Sequence, residues 1–125
     1  RYHHLESLFL LTGQQANPLP WLAKFAVFVL PSTKEGFPFA PLEAGILGIP
    51  IVASPVGGIV DLIIDQKTGL LADPSDPAQF AARIFSLLQN KSLATSLANH
   101  LFQEIQAKYN QKNIFPQYHR EYFSN

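Results

Sequence analysis

The sequence predicts an α/β domain in which helices cover both faces of a parallel sheet. Two short runs, residues 25–30 (FAVFVL) and 49–53 (IPIVA), are apolar and uncharged, as strands buried on both faces are. Segments that favour helix, and turns that contain glycine or proline, separate these runs. Because strand, helix and strand follow one another over short loops, the strands should be parallel and the crossovers right-handed.

Local signals define the individual elements. Gly13 closes a first apolar run at residues 8–12, Asn17 and Pro18 can open a helix, and Gly48 ends the helix after the second strand. Pro41 is tolerated because it lies in the first turn of that helix. We therefore predict strands at 8–12, 25–30, 49–53 and 69–72, and helices at about 18–24, 39–47, 59–64, 77–89, 91–108 and, more weakly, 113–123.

Composition narrows the class of protein. The 125 residues predict a single domain, 1–125, and 47% of them are hydrophobic. Nine basic and nine acidic residues cancel without forming a charged block, so the chain offers no electrostatic surface for nucleic acid. The absence of cysteine excludes disulfides and thiolate metal sites and leads us to expect the cytoplasm. With no methionine and a first residue Arg1, we interpret the sequence as a fragment of a longer protein.

Two carboxylates, Glu35 and Glu43, stand eight residues apart in the middle of the chain. One follows a predicted strand and the other lies about one turn into the next helix, at the sheet edge where ligands bind. The N–H groups of Phe37, Phe39 and Ala40 should be unpaired at this helix start and should attract phosphate oxygens. A ligand with phosphate and sugar hydroxyls fits both features. Taken alone, such a pair would more often be a local cap and a solvated helical glutamate.

The residues around the two glutamates form a longer pattern that is specific as a set, although each piece is weak. The pieces are Pro31-Ser32, Glu35-Gly36-Phe37-Pro38, Leu42-Glu43-Ala44, Gly48-Ile49-Pro50-Ile51-Val52, Val56-Gly57-Gly58 and Thr68-Gly69-Leu70-Leu71. This pattern resembles the retaining GT-B glycosyltransferases of group 1, also called glycosyltransferase family 4. The resemblance spans about residues 8 to 123.

The resemblance implies a three-layer α/β/α Rossmann-like fold, part of a GT-B C-terminal domain, and transfer of a sugar with retention. Glu35 matches the first acid of the family's E-x7-E motif, beside the donor sugar, and is the implied catalytic residue. Glu43 matches the second acid, which holds the ribose of the nucleotide. The implied donor-binding residues are Gly36, Phe37, Pro38, Phe39, Ala40 and Glu43, with Ser32, Gly57, Gly58 and Asp61 as further candidates.

The resemblance also implies the partners. The donor would be a nucleotide-diphosphate sugar, and no cofactor or metal is expected because basic side chains and helix N-termini stabilise the departing diphosphate. The family's phosphate-binding arginine and lysine and its N-terminal acceptor-binding domain would lie upstream of this chain, so the fragment alone should be inactive. Segment 109–125 should be the C-terminal crossover helix, whose exposed apolar side chains could support self-association. The full-length enzyme is expected in the cytoplasm or at the inner membrane face.

Other interpretations of the same residues remain open. The domain could be a non-catalytic nucleotide-binding or assembly module, because fold alone does not settle function. A glycoside hydrolase would need two carboxyl groups flanking one glycosidic bond, which a loop acid and a helix acid do not suggest. His3 and His4 near the terminus, and His100 and His119 in helical stretches, are more simply solvated or packing residues than metal ligands or bases.

Overall fold

A computed structural model of the chain describes residues 4–109. Its parallel sheet contains three strands in the order β1 (Phe28–Leu30), β2 (Ile51–Ala53) and β3 (Leu70–Leu71). The register pairs Val29 with Val52, and Val52 with Leu70, so side chains that point to the same face lie beside one another. The predicted α/β class with a parallel sheet is confirmed.

Helices connect the strands and cover the sheet. In the described part of the chain, a 3-10 turn at Glu6–Leu8 is followed by α1 (Leu19–Leu22), α2 (Phe39–Ile46), α3 (Ile59–Leu62), α4 (Pro77–Gln89) and α5 (Lys91–Tyr109). Two helix starts follow their sequence signals, since the Asn17 side chain accepts from Leu19 N–H at 3.2 Å and Asp76 accepts from Gln79 N–H at 3.0 Å. None of these helices is long and apolar enough to cross a membrane.

Side chains of the sheet alternate between two hydrophobic clusters. The front cluster contains Ile51 and Ala53 of β2 together with buried residues of α1, α2 and α3. The back cluster contains Val52 and Leu70 together with Phe80 and other buried residues of α4. Burying each large apolar side chain stabilises the fold by about 1.5–3 kcal/mol. The three-layer arrangement follows from this alternation.

Helix α5 belongs to both clusters. Leu97 in its first half packs in the back cluster, whereas Leu101 and Ile105 in its second half pack in the front cluster. The front contact depends on Gly45 of α2, because a Cβ there would overlap Ile105 Cδ1 and would lie 3.0 Å from Leu101 Cδ2. Helix α2 can therefore approach α5 closely only at a residue without a side chain.

The predicted strand at residues 8–12 is wrong. Leu8 ends the 3-10 turn, and the residues after it are exposed, with Leu10 at 74% and Leu11 at 93% of full exposure. Among the described residues β1 pairs with β2 alone, so residues 8–12 add no strand to the sheet, and the crossover predicted after them is absent too. The other strands and helices within residues 4–109 lie within about three residues of their predicted bounds.

Several expectations fall on residues beyond 109. The predicted helix at 113–123, the crossover segment 109–125 after Tyr109, and His119 lie outside the described residues. The same holds for His3 at the other end of the chain. These expectations stay predictions.

Asp73 accepts two hydrogen bonds in the turn before α4. Its Oδ1 accepts from the Ser75 hydroxyl at 2.7 Å and from the Ser75 N–H at 2.8 Å. These bonds favour the carboxylate, the hydroxyl bond most, and lower the pKa of Asp73 below 3.8. Ser75→Ala removes the hydroxyl and should raise the pKa of Asp73 toward 3.8 in an NMR titration of carboxyl carbons. Ser96→Ala on α5 is the control, and an equal pKa in wild type and Ser75→Ala would contradict the assignment.

Candidate functional site

Two loops meet at the carboxyl edge of the sheet. Residues 31–38 follow β1 and residues 54–58 follow β2, and these two strands are parallel neighbours. Fully buried Ser54 joins the two strand ends, since Leu30 C=O accepts from the Ser54 N–H at 3.0 Å and from its Oγ at 3.4 Å. Because these strands end side by side, the loops that leave them start from fixed, adjacent points.

Glu35 lies in the first of these loops and is partly exposed. Its Oε1 accepts a hydrogen bond from Ser32 Oγ at 2.6 Å. This length is typical of a hydroxyl that donates to a charged carboxylate. Ser32, predicted as a further donor-site candidate, therefore contacts Glu35 directly, and their spacing of three residues within one loop was the available sequence signal.

Gly57 and Gly58 bring the second loop against the backbone of the first. Gly57 has φ +55°, and a Cβ there would overlap the Glu35 carbonyl oxygen. The Gly58 N–H donates to Gly36 C=O at 3.2 Å, and a Cβ on Gly58 would lie 2.8 Å from that oxygen and from Pro38 Cδ. Sequence reasoning named both glycines but missed this contact, for which the double glycine after β2 was the signal.

The start of α2 differs from expectation at one amide. Phe39 N–H is not unpaired, because Phe37 C=O accepts from it at 3.0 Å. Pro38 has φ −86° and ψ 71°, close to an inverse γ-turn, and this turn brings the Phe37 carbonyl back to the Phe39 amide. Within residues 4–109 the N–H groups of Phe37 and Ala40 have no backbone acceptor. Of the three amides predicted to be unpaired, those of Phe37 and Ala40 therefore have no backbone acceptor in the described part of the chain.

Glu43 is half-buried in the second turn of α2. It follows Phe39 by four residues, so these two side chains share one face of the helix. Glu35 and Glu43 both lie in the connection between β1 and β2, one in the loop and the other on the helix. The structure thus places the pair on the loop and helix that the sequence predicted.

Aromatic side chains lie in and beside the glutamate loop, residues 31–38, which contains Glu35. The rings of Phe37 and Phe39 have centroids 4.6 Å apart, and Phe37 meets Tyr109 of α5 edge-on at 6.4 Å. Phe37 and Phe39 are 46% and 56% exposed, respectively. The rim of the candidate site is therefore apolar and open to solvent.

Asp61 lies on α3, just after the second loop. Its N–H donates to Gly58 C=O at 3.2 Å, and its own C=O accepts from Lys108 Nζ at 3.2 Å. The residue is exposed in the first turn of the helix, where a negative charge is favoured by the helix dipole. These contacts assign Asp61 a structural place near the site, and its predicted role as a donor-site residue stays a prediction.

Two cavities in the described part of the chain lie away from both glutamates. A cavity of about 390 Å³ includes Gly48 and Pro50, which precede β2, and one of about 480 Å³ includes Pro55 of the second loop and Ala72 after β3. Neither cavity is lined by Glu35 or by Glu43. Residues 4–109 hold no cluster of three or more His, Cys, Asp or Glu side chains that could bind a metal.

Curated relatives carry glycosyltransferase names. The 2-deoxystreptamine N-acetyl-D-glucosaminyltransferase of Niallia circulans is 32% identical over 123 residues, which cover 97% of this chain and 32% of that protein. The capsular polysaccharide biosynthesis glycosyltransferase CapM of Staphylococcus aureus is 25% identical over 100 residues, which cover 80% of this chain and 26% of that protein. The chain thus spans about a third or less of the length of these relatives.

Solved structures share the fold, and a family model matches the sequence. A TarM variant of S. aureus, crystallised with fondaparinux, alpha-GlcNAc-glycerol and UDP, is 28% identical. Its TM-score is 0.79, over 96% of this chain and 24% of that chain. The C-terminal domain of a group 1 glycosyl transferase, LpcC of Francisella tularensis, is 26% identical with a TM-score of 0.73 over 83% of this chain and 54% of that chain. The model described as Glycosyl transferases group 1 matches residues 1–90. With a parallel sheet and paired loops that suit such a fold, this chain belongs to the glycosyl transferases group 1 family.

Proposed function

We propose that the chain is the donor-binding part of a retaining GT-B glycosyltransferase of family 4. It would move a sugar from a nucleotide-diphosphate sugar to an acceptor in the synthesis of cell-surface polysaccharide or glycoconjugate. The observation that carries the proposal is the meeting of two loops at the carboxyl edge of β1 and β2, where Glu35 lies partly exposed before α2. In open α/β sheets, ligands bind at this edge.

The two glutamates would divide the donor between them. Glu35, held by Ser32, would accept hydrogen bonds from hydroxyls of the donor sugar. Glu43, on the helix, would accept from the ribose hydroxyls of the nucleotide. Because a carboxylate only accepts hydrogen bonds, both residues suit hydroxyl groups and would repel the phosphates.

The start of α2 would receive the diphosphate. The N–H groups of Phe37 and Ala40, which have no backbone acceptor within residues 4–109 and lie at the positive end of the helix dipole, would donate to phosphate oxygens. These fixed donors would stabilise the negative charge that develops on the departing diphosphate. Our proposal includes no metal or other cofactor for this step.

The remainder of the active site would lie on an acceptor-binding domain outside this chain. Glu35 is partly exposed and the rings of Phe37 and Phe39 are about half exposed, as expected for one wall of a cleft between two domains. We propose that the isolated chain binds donor weakly and does not turn over, and that the full-length enzyme works in the cytoplasm or at the inner membrane face. Segment 109–125 would be the crossover helix toward the acceptor-binding domain.

Isothermal titration of the 125-residue chain with UDP, UDP-GlcNAc and GDP-mannose tests the donor site. UDP-GlcNAc is included because a relative is named an N-acetylglucosaminyltransferase and the TarM variant holds UDP. Glu43→Gln should raise the Kd for UDP about tenfold or more, because it weakens hydrogen bonds to a charged acceptor.

Glu6→Gln, in the exposed 3-10 turn, is the matched control and should leave the Kd unchanged. A Glu43→Gln chain that binds every nucleotide as tightly as wild type would contradict the assignment of Glu43. A longer protein that binds donor but transfers no sugar would instead favour the non-catalytic module.

A further inference from the structure

We propose that Gly57, Gly58 and Ser32 are positioning residues that fix the place of the Glu35 carboxylate and so determine how well the site distinguishes a nucleotide sugar from the bare nucleotide. The inference rests on the proposed function, because it assigns Glu35 to the sugar half of the donor. None of the three residues needs to touch the ligand. They act by holding Glu35 at two points, its backbone and its side chain.

The backbone of Glu35 is held by the double glycine. Around the Cβ position of Gly57 lie the oxygen, the carbonyl carbon and the Cα of Glu35, the Cα at 3.3 Å. These are main-chain atoms, which cannot rotate away as a flexible side chain can. Gly58 adds a hydrogen bond to the next carbonyl, that of Gly36, at 3.2 Å. Any side chain at either glycine therefore displaces the loop that carries Glu35.

The side chain of Glu35 is held by Ser32. The bond of 2.6 Å from Ser32 Oγ to Glu35 Oε1 fixes one carboxylate oxygen relative to the end of β1. Such a bond restricts the side-chain torsions that Glu35 can adopt and leaves the second oxygen available to a ligand. The carboxylate is therefore partly ordered before a substrate hydroxyl meets it, which lowers the cost of ordering it on binding.

The other glycines with positive φ provide an internal comparison. Gly13 and Gly48 have φ of +66° and +74°, similar to Gly57, but an added Cβ at either position meets nothing within 4 Å. Alanine at Gly48 therefore introduces the same kind of backbone strain without a steric clash. Among the described glycines, only Gly57 combines positive φ with contact to Glu35.

The experiment compares Gly57→Ala with Gly48→Ala, and Ser32→Ala with Ser32→Thr, in the 125-residue chain. Titrations with UDP and UDP-GlcNAc should show that Gly57→Ala and Ser32→Ala each raise the Kd for UDP-GlcNAc about tenfold, while the Kd for UDP changes less than about threefold. Gly48→Ala should leave both constants unchanged, and Ser32→Thr, which keeps the hydroxyl, should restore the wild-type preference. A merely structural defect would weaken both ligands equally, and that result would overturn the proposal.

A second measurement needs no ligand. The NMR resonances of the Glu35 side-chain carboxyl carbon and of the amides at 32–37 should shift in Gly57→Ala and Ser32→Ala but not in Gly48→Ala. Unshifted resonances in both site variants would overturn the positioning role, even if the wild-type chain binds neither UDP nor UDP-GlcNAc. Absence of binding in the wild type, with the resonances shifted as expected, would count against the proposed donor site instead.

Discussion

Replacing Glu35 by alanine should reduce sugar transfer by about 100-fold or more in a protein that joins this chain to an acceptor-binding domain. The Glu35 side chain is partly exposed and accepts a hydrogen bond from Ser32, and the Glu35 backbone packs against Gly57. If its role is to orient the donor sugar, its loss leaves the sugar free to adopt positions from which no transfer occurs. Proximity and orientation account for a large part of catalysis, so a misplaced reacting group is costly.

The measurement is steady-state transfer from UDP-GlcNAc, with kcat and the KM for donor determined separately. Glu35→Gln should fall between wild type and Glu35→Ala, because an amide oxygen keeps the shape and one acceptor but loses the charge. Glu6→Gln is again the control, since Glu6 lies in the exposed 3-10 turn and well before the loop of residues 31–38 that carries Glu35. Wild-type kcat and KM in Glu35→Ala would remove Glu35 from the active site.

Replacing Ile105 by alanine should lower the free energy of unfolding by about 2–5 kcal/mol. Ile105 is fully buried in the front cluster, and its Cδ1 fills the space left by Gly45 of α2. Alanine removes three carbons, and Gly45 has no side chain that could move into the void. The higher helix propensity of alanine regains only a few tenths of a kcal/mol, about a tenth of the cavity term.

Urea unfolding followed by circular dichroism measures this difference. Leu88→Ala on α4 is the control, because Leu88 is 57% exposed and its truncation should change the unfolding free energy by about 0.5 kcal/mol or less. Since α2 carries Glu43 on its other side, Ile105→Ala should also weaken UDP binding by the folded protein. Equal midpoints for wild type and Ile105→Ala would show that α5 does not support α2.

The fold could be predicted where local signals and burial agree. The alternation in β2 is complete, with Ile51 and Ala53 to the front and Val52 to the back, and its flanking glycine and proline turns are unambiguous. Residues 8–12 show the limit of this reasoning. An apolar run predicts burial in a sheet, but a strand also has to pair with a neighbouring strand, and the run itself does not reveal whether it does so.

The candidate site was likewise predictable only in part. The positions of Glu35 and Glu43 on a loop and a helix follow from the order of elements along the chain. The contact between Gly57 and the Glu35 carbonyl joins residues that are distant in sequence, and the acceptor of the Phe39 amide depends on the torsion angles of Pro38. Such tertiary and torsional details are set by packing, which a motif does not encode.

Helix α5 also has a consequence for the order of events during synthesis. Leu97 completes the back cluster and Leu101 the front cluster, and both residues lie near the end of the described part of the chain. Until this helix has left the ribosome, neither face of the sheet is fully covered, although every strand and the glutamate loop are already made. The described part should therefore fold as one cooperative unit only after α5 has been synthesised, and chaperones would meet a sheet whose two faces are still incompletely covered.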